Sequence, residues 1–227
     1  MRISKYILRK ISLALLLLLP LSLSAQQRKQ IVVQDSDSIA TFRGVAVSVD
    51  LVGPIQLLVS SYGQLEAALR VNLKDRYFPI VEIGYGKADA DDDVTRLQYK
   101  TSAPYGRIGM DFNLLRNKHD DYRLYAGFRY AYTSYKFDVD SPNLIDPVWG
   151  GDAPYSVHDI KANCGWAEAV FSIDAKIFGP IRMGWSVRYK HRLHHDDGTI
   201  GNTWYVPGYG KQGNSRLGGT FNITFEI

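Results

Sequence analysis

The sequence predicts an all-β fold: an eight-stranded antiparallel up-and-down transmembrane β-barrel over residues 42–227. Three observations carry that expectation. Eight stretches of roughly ten residues alternate apolar and polar side chains at period two. Short and long connections alternate between them, and the chain opens with an export signal.

Residues 1–25 read as a signal peptide. MRISKYILRK is cationic, ISLALLLLLPLSLSA is apolar and broken by Pro20, and QQRKQ is polar. Cleavage is expected after Ala25, with Ser24 as the rival because Leu23 is poorly suited to the position three before the cut. An uncleaved anchor is the lesser alternative, since the run is short and wrongly flanked for a spanning helix. With no cysteine near the boundary, a lipoprotein is not expected. Of 27 basic and 23 acidic residues, this segment holds Arg2, Lys5, Arg9 and Lys10 and no acid, so the mature chain balances at 27 − 4 = 23 against 23. No basic surplus remains to suggest a nucleic-acid partner. Cys164 is the single cysteine, which excludes an intramolecular disulfide in an exported chain. Residues 26–41 form a short polar lead, and residues 42–227 have the length of one all-β domain.

The segments run in order. In GVAVSVDLV, Val45, Val47, Val49 and Leu51 share one face. GQLEAALRVNL sets Leu65, Ala67, Leu69, Val71 and Leu73 against Glu66, Arg70 and Asn72, and the less regular FPIVEIGYG sets Val81, Ile83 and Tyr85 against Ile80 and Glu82. In YGRIGMDFNLL, Ile108, Met110, Phe112 and Leu114 oppose Arg107 and Asp111. In YRLYAGFRYAY, Tyr122, Leu124, Ala126, Phe128, Tyr130 and Tyr132 oppose Arg123 and Arg129. GWAEAVFSIDAKI sets Ala167, Ala169, Phe171, Ile173, Ala175 and Ile177 against Glu168 and Asp174. IRMGWSVRYK sets Ile181, Met183, Trp185, Val187 and Tyr189 against Arg182, Arg188 and Lys190, and RLGGTFNITFEI sets Leu217, Phe221, Ile223, Phe225 and Ile227 against Arg216 and Glu226. At helical spacing these charges would scatter around a cylinder, so strands are favoured.

Links two to three, four to five and six to seven (KDRY, RNKHDD, FGP) are short, whereas three to four, five to six and seven to eight are long; GPIQLLVSSY, between one and two, is intermediate. That rhythm suits a barrel whose two ends face different compartments.

Periodicity alone does not separate a membrane barrel from a lipocalin-like carrier with an apolar cavity. The faces do: the apolar face carries no charge, as lipid demands, and the polar face mixes glycine and alanine with both signs of charge. Glu66, Arg70, Glu82, Arg107, Asp111, Arg123, Arg129, Glu168, Asp174, Arg188 and Arg216 are therefore expected to form a lumenal charge network. Tyr77, Phe78, Tyr105, Tyr122, Tyr132, Trp185, Tyr189 and Phe225, near segment ends, fit interfacial girdles.

The signal peptide, the eight segments, the connection rhythm and the terminal FNITFEI together resemble small bacterial outer-membrane barrels of the OmpX and OmpA transmembrane-domain type, and the SLSAQ boundary resembles those of exported Bacteroidetes proteins. The resemblance implies a monomer in the bacterial outer membrane, surrounded by lipid and lipopolysaccharide, with its last strand read by the barrel-insertion machinery. In that class the last strand usually ends in an aromatic residue, whereas this chain ends on Ile227 with Phe225 two before it.

Some barrels of this size modify lipid A, a chemistry that needs a nucleophile, a base and an orienting acid in the connections. HRLHHDDG offers His191, His194, His195, Asp196 and Asp197, with His194, His195 and Asp196 as weak catalytic candidates; His158 and Asp159 lie in the preceding long link. No serine is placed by a motif. KADADDDVTR brings Asp89, Asp91 and Asp93 together as weak metal candidates, without the glycine and glutamate of a calcium loop. The longest connection carries Trp149 and Tyr155, expected over the mouth or on an extracellular ligand. No cofactor is expected. The expectation is a structural, adhesive or binding role; a lipid A-modifying enzyme and a secreted lipocalin-like carrier are the alternatives.

Overall fold

A computed structural model describes residues 40–92, 97–118, 120–141, 148–199, 201 and 203–227. The expected signal peptide and all but the end of the lead lie outside the described residues.

The strands are β1 (Phe42–Asp50), β2 (Tyr62–Leu73), β3 (Tyr77–Asp92), β4 (Leu97–Asn113), β5 (Tyr122–Ser141), β6 (Tyr155–Phe178), β7 (Ile181–Asp196), β8 (Tyr205–Val206), β9 (Gly210–Lys211) and β10 (Ser215–Glu226), with one helix, α1 (Val52–Val59). β1 to β7 and β10 close into a barrel in the ring order β1-β10-β7-β6-β5-β4-β3-β2, while β8 and β9 form a separate two-stranded hairpin. Every wall pairing is antiparallel. Partners traced from Arg216 through Lys190, Glu168, Arg129, Gly109, Ile80, Arg70 and Ala46 return to Glu226, a stagger of 226 − 216 = 10 residues. Such stagger tilts the strands by roughly 35–45° and leaves an interior that side chains can fill.

Local chemistry sets the tight end. Between β2 and β3, Lys74 and Asp75 take φ of 57° and 53° and Arg76 N–H bonds Leu73 O at 3.1 Å, the two-residue turn whose twist matches the strands. Asp75 is held there by Asn72 Nδ2 at 2.6 Å and Arg43 Nε at 2.8 Å. Gly179, at φ 53°, turns the chain from β6 into β7. At the seam of the ring, Val45 and Ile227 exchange backbone hydrogen bonds at 3.0 and 2.8 Å, so the C-terminal residue is itself a rung.

The strands outrun the alternating segments. Lys87–Asp92, Asp138–Ser141, Tyr155–Cys164 and His191–Asp196, expected in connections, are strand. The pattern inverts there rather than ending. On β5 the outward residues are Tyr122, Leu124, Ala126, Phe128, Tyr130 and Tyr132, then Ser134, Lys136, Asp138 and Asp140; the inward ones are Arg123, Tyr125, Gly127 and Arg129, then Ala131, Thr133, Tyr135, Phe137 and Val139. β6 inverts in the same way, with Ile160, Ala162, Cys164 and Trp166 inside above Glu168 and Asp174. The tight-turn half is thus apolar outside and ionic inside. The long-connection half is polar outside around an apolar core that includes Tyr99, Tyr105, Phe137 and Trp166.

The link between β1 and β2 contains a helix. β1 stops at Asp50, opposite Asn222, so Ser215–Phe221 of β10 lack a β1 partner. α1 fills that span. Asp50 caps it through Val52 N–H and Gly53 N–H at 3.1 and 2.9 Å, and accepts Phe221 N–H at 3.1 Å. A Cβ on Gly53 would stand 2.1 Å from Gln64 O, so glycine lets the helix lie flush on β2. Ile55, Leu58 and Val59, one helical face, are exposed and continue the apolar outer wall.

Candidate functional site

The tight-turn half of the barrel is filled by ion pairs in two tiers. In the upper tier Glu66 (β2), Glu82 (β3) and Glu168 (β6) face Arg107 (β4), Arg129 (β5) and Arg188 (β7). Glu82 takes Arg107 Nη1 at 3.0 Å, Arg129 Nε at 3.0 Å and Arg188 Nη1 at 2.6 Å. Arg107 also pairs with Glu66, and with Glu168 at 3.0 Å, while Arg188 reaches Glu66 at 2.9 Å. Tyr105 Oη and Trp166 Nε1 donate to Glu66 and Glu168 at 3.0 and 2.6 Å.

The lower tier continues from Arg129, which bonds Asp111 at 2.7 Å; Asp111 takes Arg70 at 3.1 Å. Asp174 takes Arg182 at 2.6 Å and Glu226 takes Arg123 at 2.7 Å. With Arg43 on Asp75, seven arginines (43, 70, 107, 123, 129, 182, 188) meet seven carboxylates (66, 75, 82, 111, 168, 174, 226). Buried charge is tolerable in this form because each of these carboxylates faces at least one guanidinium group.

Ten of the eleven residues expected in the lumen lie in this cluster. Arg216 does not: it donates through Nε to Lys211 O at 2.8 Å and through Nη2 to Gln212 O, because β10 begins at Ser215 and places it at the upper rim. Asp75 and Arg43 were missed because a turn and a strand end carry no alternation. Phe78 and Tyr105, expected in girdles, are 1% and 4% exposed and face inward. Phe78 packs edge-on to Tyr125 at 5.0 Å, and Tyr105 covers the Arg107 guanidinium at 4.7 Å. Tyr77, Tyr122, Tyr132, Trp185, Tyr189 and Phe225 are exposed on the outer wall.

Beside the cluster lies a polar cavity of about 30 Å³ among small side chains such as Ser48, Ala68, Ser172, Ser186, Asn222 and Thr224. That is room for a few waters. The lipocalin-like alternative required the apolar faces to point inward; Leu65, Ile108, Phe128 and Phe171 point outward, with ion pairs inside.

The mouth is stoppered by the β8–β9 hairpin. Its tip sits on the charge cluster: Arg107 Nη2 donates to Gly208 O at 3.0 Å, and Lys190 Nζ to Gly208 O and Tyr209 O at 2.7 and 3.3 Å. Tyr99 Oη donates to Tyr205 O at 2.8 Å, and Tyr209 packs edge-on to Trp166 at 5.7 Å. Gly208 has φ 80° and a Cβ there would stand 2.5 Å from the Tyr105 ring, so only glycine seats the tip. The cover was expected from Trp149 and Tyr155; Trp149 is instead 86% exposed, and the signal for the real stopper was WYVPGYG, a turn dipeptide between aromatics.

The catalytic candidates separate. His195, mostly buried, contacts Tyr135 Oη through Nε2 at 3.1 Å and Asp197 through Nδ1 at 2.7 Å, with Arg192 Nη1 at 2.7 Å from Nδ1. Burial lowers its pKa; Asp197 opposes this and Arg192 adds to it. His194 is exposed, and Asp196 accepts Gly198 N–H at 3.0 Å instead of meeting His195. Cys164, paired with His195 across β6 and β7, is buried, and that burial pushes its thiol up to about 12. Asp89 and Asp91 lie on β3, not in a loop, where they meet Lys100 at 3.8 Å and Gln98 Nε2 at 3.3 Å. Asp93 lies outside the described residues, among which no group of three potential ligands could hold a metal ion.

A family model, "Domain of unknown function (DUF6048)", matches residues 6–227. The chain belongs to the DUF6048 family. None of the curated proteins matches it. Among solved structures it is similar to a major outer membrane protein from Thermus thermophilus, with TM-score 0.52 and 8% identity over 82% of this chain and 100% of that one. Neisserial surface protein A (NspA) covers 83% of this chain and 98% of its own at 11% identity and TM-score 0.40. Acinetobacter baumannii CarO2 covers 82% and 98% at 11% identity and TM-score 0.43. The Thermus likeness shows that this DUF6048 chain has the barrel fold of an outer-membrane protein.

Proposed function

We propose that this DUF6048 protein is exported, spans the bacterial outer membrane as a monomeric closed barrel, and serves a non-enzymatic structural or binding role through the part that projects outside. The observation that carries this reading is the joint inversion of the two faces. Below Tyr85 and Tyr132 the outer wall is apolar and the interior ionic; above them, on β3, β5 and β6, the relation reverses. A bilayer accounts for the first half, since uncharged side chains must face lipid, and water accounts for the second.

The paired charges, the small cavity and the seated hairpin favour a stoppered barrel over an open pore, as the narrow lumen of eight strands also does. His194 is exposed while His195 and Asp196 take different partners, a dispersal that favours binding over lipid A chemistry. The test is fractionation of cells expressing the full chain, with the envelope extract run on SDS gels with and without boiling. Membrane recovery with a heat-dependent mobility shift is the expected result, and recovery of a soluble, unshifted protein would overturn the reading.

A further inference from the structure

The rim of the barrel holds an ammonium group by aromatic faces alone. Lys211 on β9 places Nζ 4.8 Å from the ring centre of Trp204 and 5.0 Å from that of Tyr62. These two rings meet edge to face, 5.8 Å apart at 84°, and make two walls of a corner. Among the described residues no carboxylate or carbonyl is a hydrogen-bond partner of Nζ. A lysine ammonium has three donors and normally spends them on oxygen. A site that offers ring faces and no acceptor suits a cation without donors, an alkylated ammonium.

The corner does not depend on its occupant. Tyr62 also packs on Tyr205 at 5.4 Å and Trp204 on Tyr99 at 5.9 Å. Those two supporting rings are pinned in turn: Tyr205 Oη donates to Gly63 O at 3.3 Å and Tyr99 Oη to Tyr205 O at 2.8 Å. Lys211 itself is exposed, on a long flexible stem, whereas Tyr62 and Trp204 are partly buried against the upper core. Withdrawal of the lysine therefore breaks none of the buried hydrogen bonds that seat Gly208.

We propose that the Tyr62–Trp204 corner is a binding site for a quaternary, choline-type ammonium group, with Lys211 as the internal occupant that such a ligand displaces. The site needs only the barrel rim and the hairpin, so it goes beyond the membrane role proposed above. A tethered competitor weakens the apparent affinity of any ligand, and its removal strengthens it.

The experiment uses the full chain refolded in a detergent without choline, with phosphocholine as the probe and saturation transfer to its trimethylammonium protons as the signal. Lys211→Gln should bind about tenfold more tightly than the parent, the scale of a cation–π contact. Adding Trp204→Leu or, separately, Tyr62→Leu to Lys211→Gln should abolish the signal, and phosphoethanolamine should bind more weakly than phosphocholine. A heat-shifted band on gels certifies that each variant is folded, and Tyr62→Leu serves should Trp204→Leu fail that check. Binding by Lys211→Gln no tighter than the parent's, or binding that survives both ring replacements, would overturn the proposal. Reconstitution into bilayer discs separates the sources: loss of phosphocholine binding in choline-lipid discs but not in phosphatidylglycerol discs identifies a lipid headgroup as the ligand, and binding retained in both identifies a soluble one.

Discussion

Replacement of Glu82 by Gln removes one charge from the centre of the upper tier while keeping the side chain's shape. Glu82 receives bonds from Arg107, Arg129 and Arg188 at 3.0, 3.0 and 2.6 Å. The amide keeps one acceptor oxygen and turns two N–H donors toward guanidinium groups that are donors only. Three carboxylates facing three arginines become two facing three, with only the small polar cavity beside Glu82 to admit water. Loss of one partner from a buried ionic cluster costs roughly 3–5 kcal/mol, mostly the penalty of the charge left uncompensated.

A second substitution makes the reasoning specific. Glu82→Gln with Arg129→Gln restores a two-to-two balance, and Asp111, which loses Arg129, keeps Arg70 at 3.1 Å. The double variant should be more stable than the sum of the singles predicts, by about 0.5–3 kcal/mol. Both are read from urea titrations in lipid vesicles, scoring the unboiled, heat-shifted band as the folded fraction. Glu82→Gln within about 1 kcal/mol of the parent, the range of solvated ion pairs, would refute a buried network. Strict additivity in the double variant would refute the coupling.

Other predictions separate levels and parts of the barrel. Phe171→Arg, at the middle of the apolar outer wall, should cost about 2–4 kcal/mol of insertion stability, whereas Ser134→Arg, outward on β5 above the inversion, should cost little; equal losses would mean the bilayer has been placed wrongly. Gly208→Ala, whose Cβ would meet the Tyr105 ring at 2.5 Å, should unseat the hairpin and speed tryptic cleavage after Lys211, and an unchanged cleavage rate would mean the tip is not the fastening. Cys164 should resist maleimide at pH 8 in the folded barrel and react fully after boiling in SDS, because burial raises its pKa to about 12 and closes access. His195 has a pKa lowered by burial in the fold, so once released it binds protons more readily; the anchoring of the β8–β9 hairpin should weaken as pH falls below about 6.5, seen as faster proteolysis at pH 5 than at pH 7.5. His195→Gln should erase that difference.

The wall of the barrel was legible because lipid and a polar lumen impose opposite demands on alternate residues, and a strand records them at period two. The same signal concealed how long the strands are. At Tyr132 the apolar residues change sides, so a reading that follows one apolar face stops where β5 runs on to Ser141. The acidic run around Asp89 read as a loop for the same reason, its acids lying outward on a strand already past the inversion. α1 was unreadable at period two, because its eight residues contain Gly53 and Pro54 and its only patterned feature is the exposed Ile55, Leu58 and Val59. Glu66, Glu82 and Glu168 were found because they sit on regular strands; their arginine partners come from other strands, so the pairing itself is tertiary. His195 with Asp197 rather than Asp196 is likewise tertiary, because Asp197 lies just past the end of β7 where the chain turns back.

The balance of charge inside the barrel and the absence of charge from the apolar wall are one physical fact seen twice. A strand that crosses lipid can place an arginine only inward, and an inward arginine is tolerable only with a carboxylate beside it. Each tier is therefore balanced by itself: three against three around Glu82, and four against four where Arg43, Arg70, Arg123 and Arg182 meet Asp75, Asp111, Asp174 and Glu226. Lys190 is the cation beyond that balance, and its Nζ is given to the carbonyls of Gly208 and Tyr209. The hairpin thus completes the charge cluster as well as covering it, because carbonyl oxygens at the tip serve a buried cation that the tiers leave over. That makes the stopper part of the folded interior, which is why a single methyl group on Gly208 should be felt at the rim.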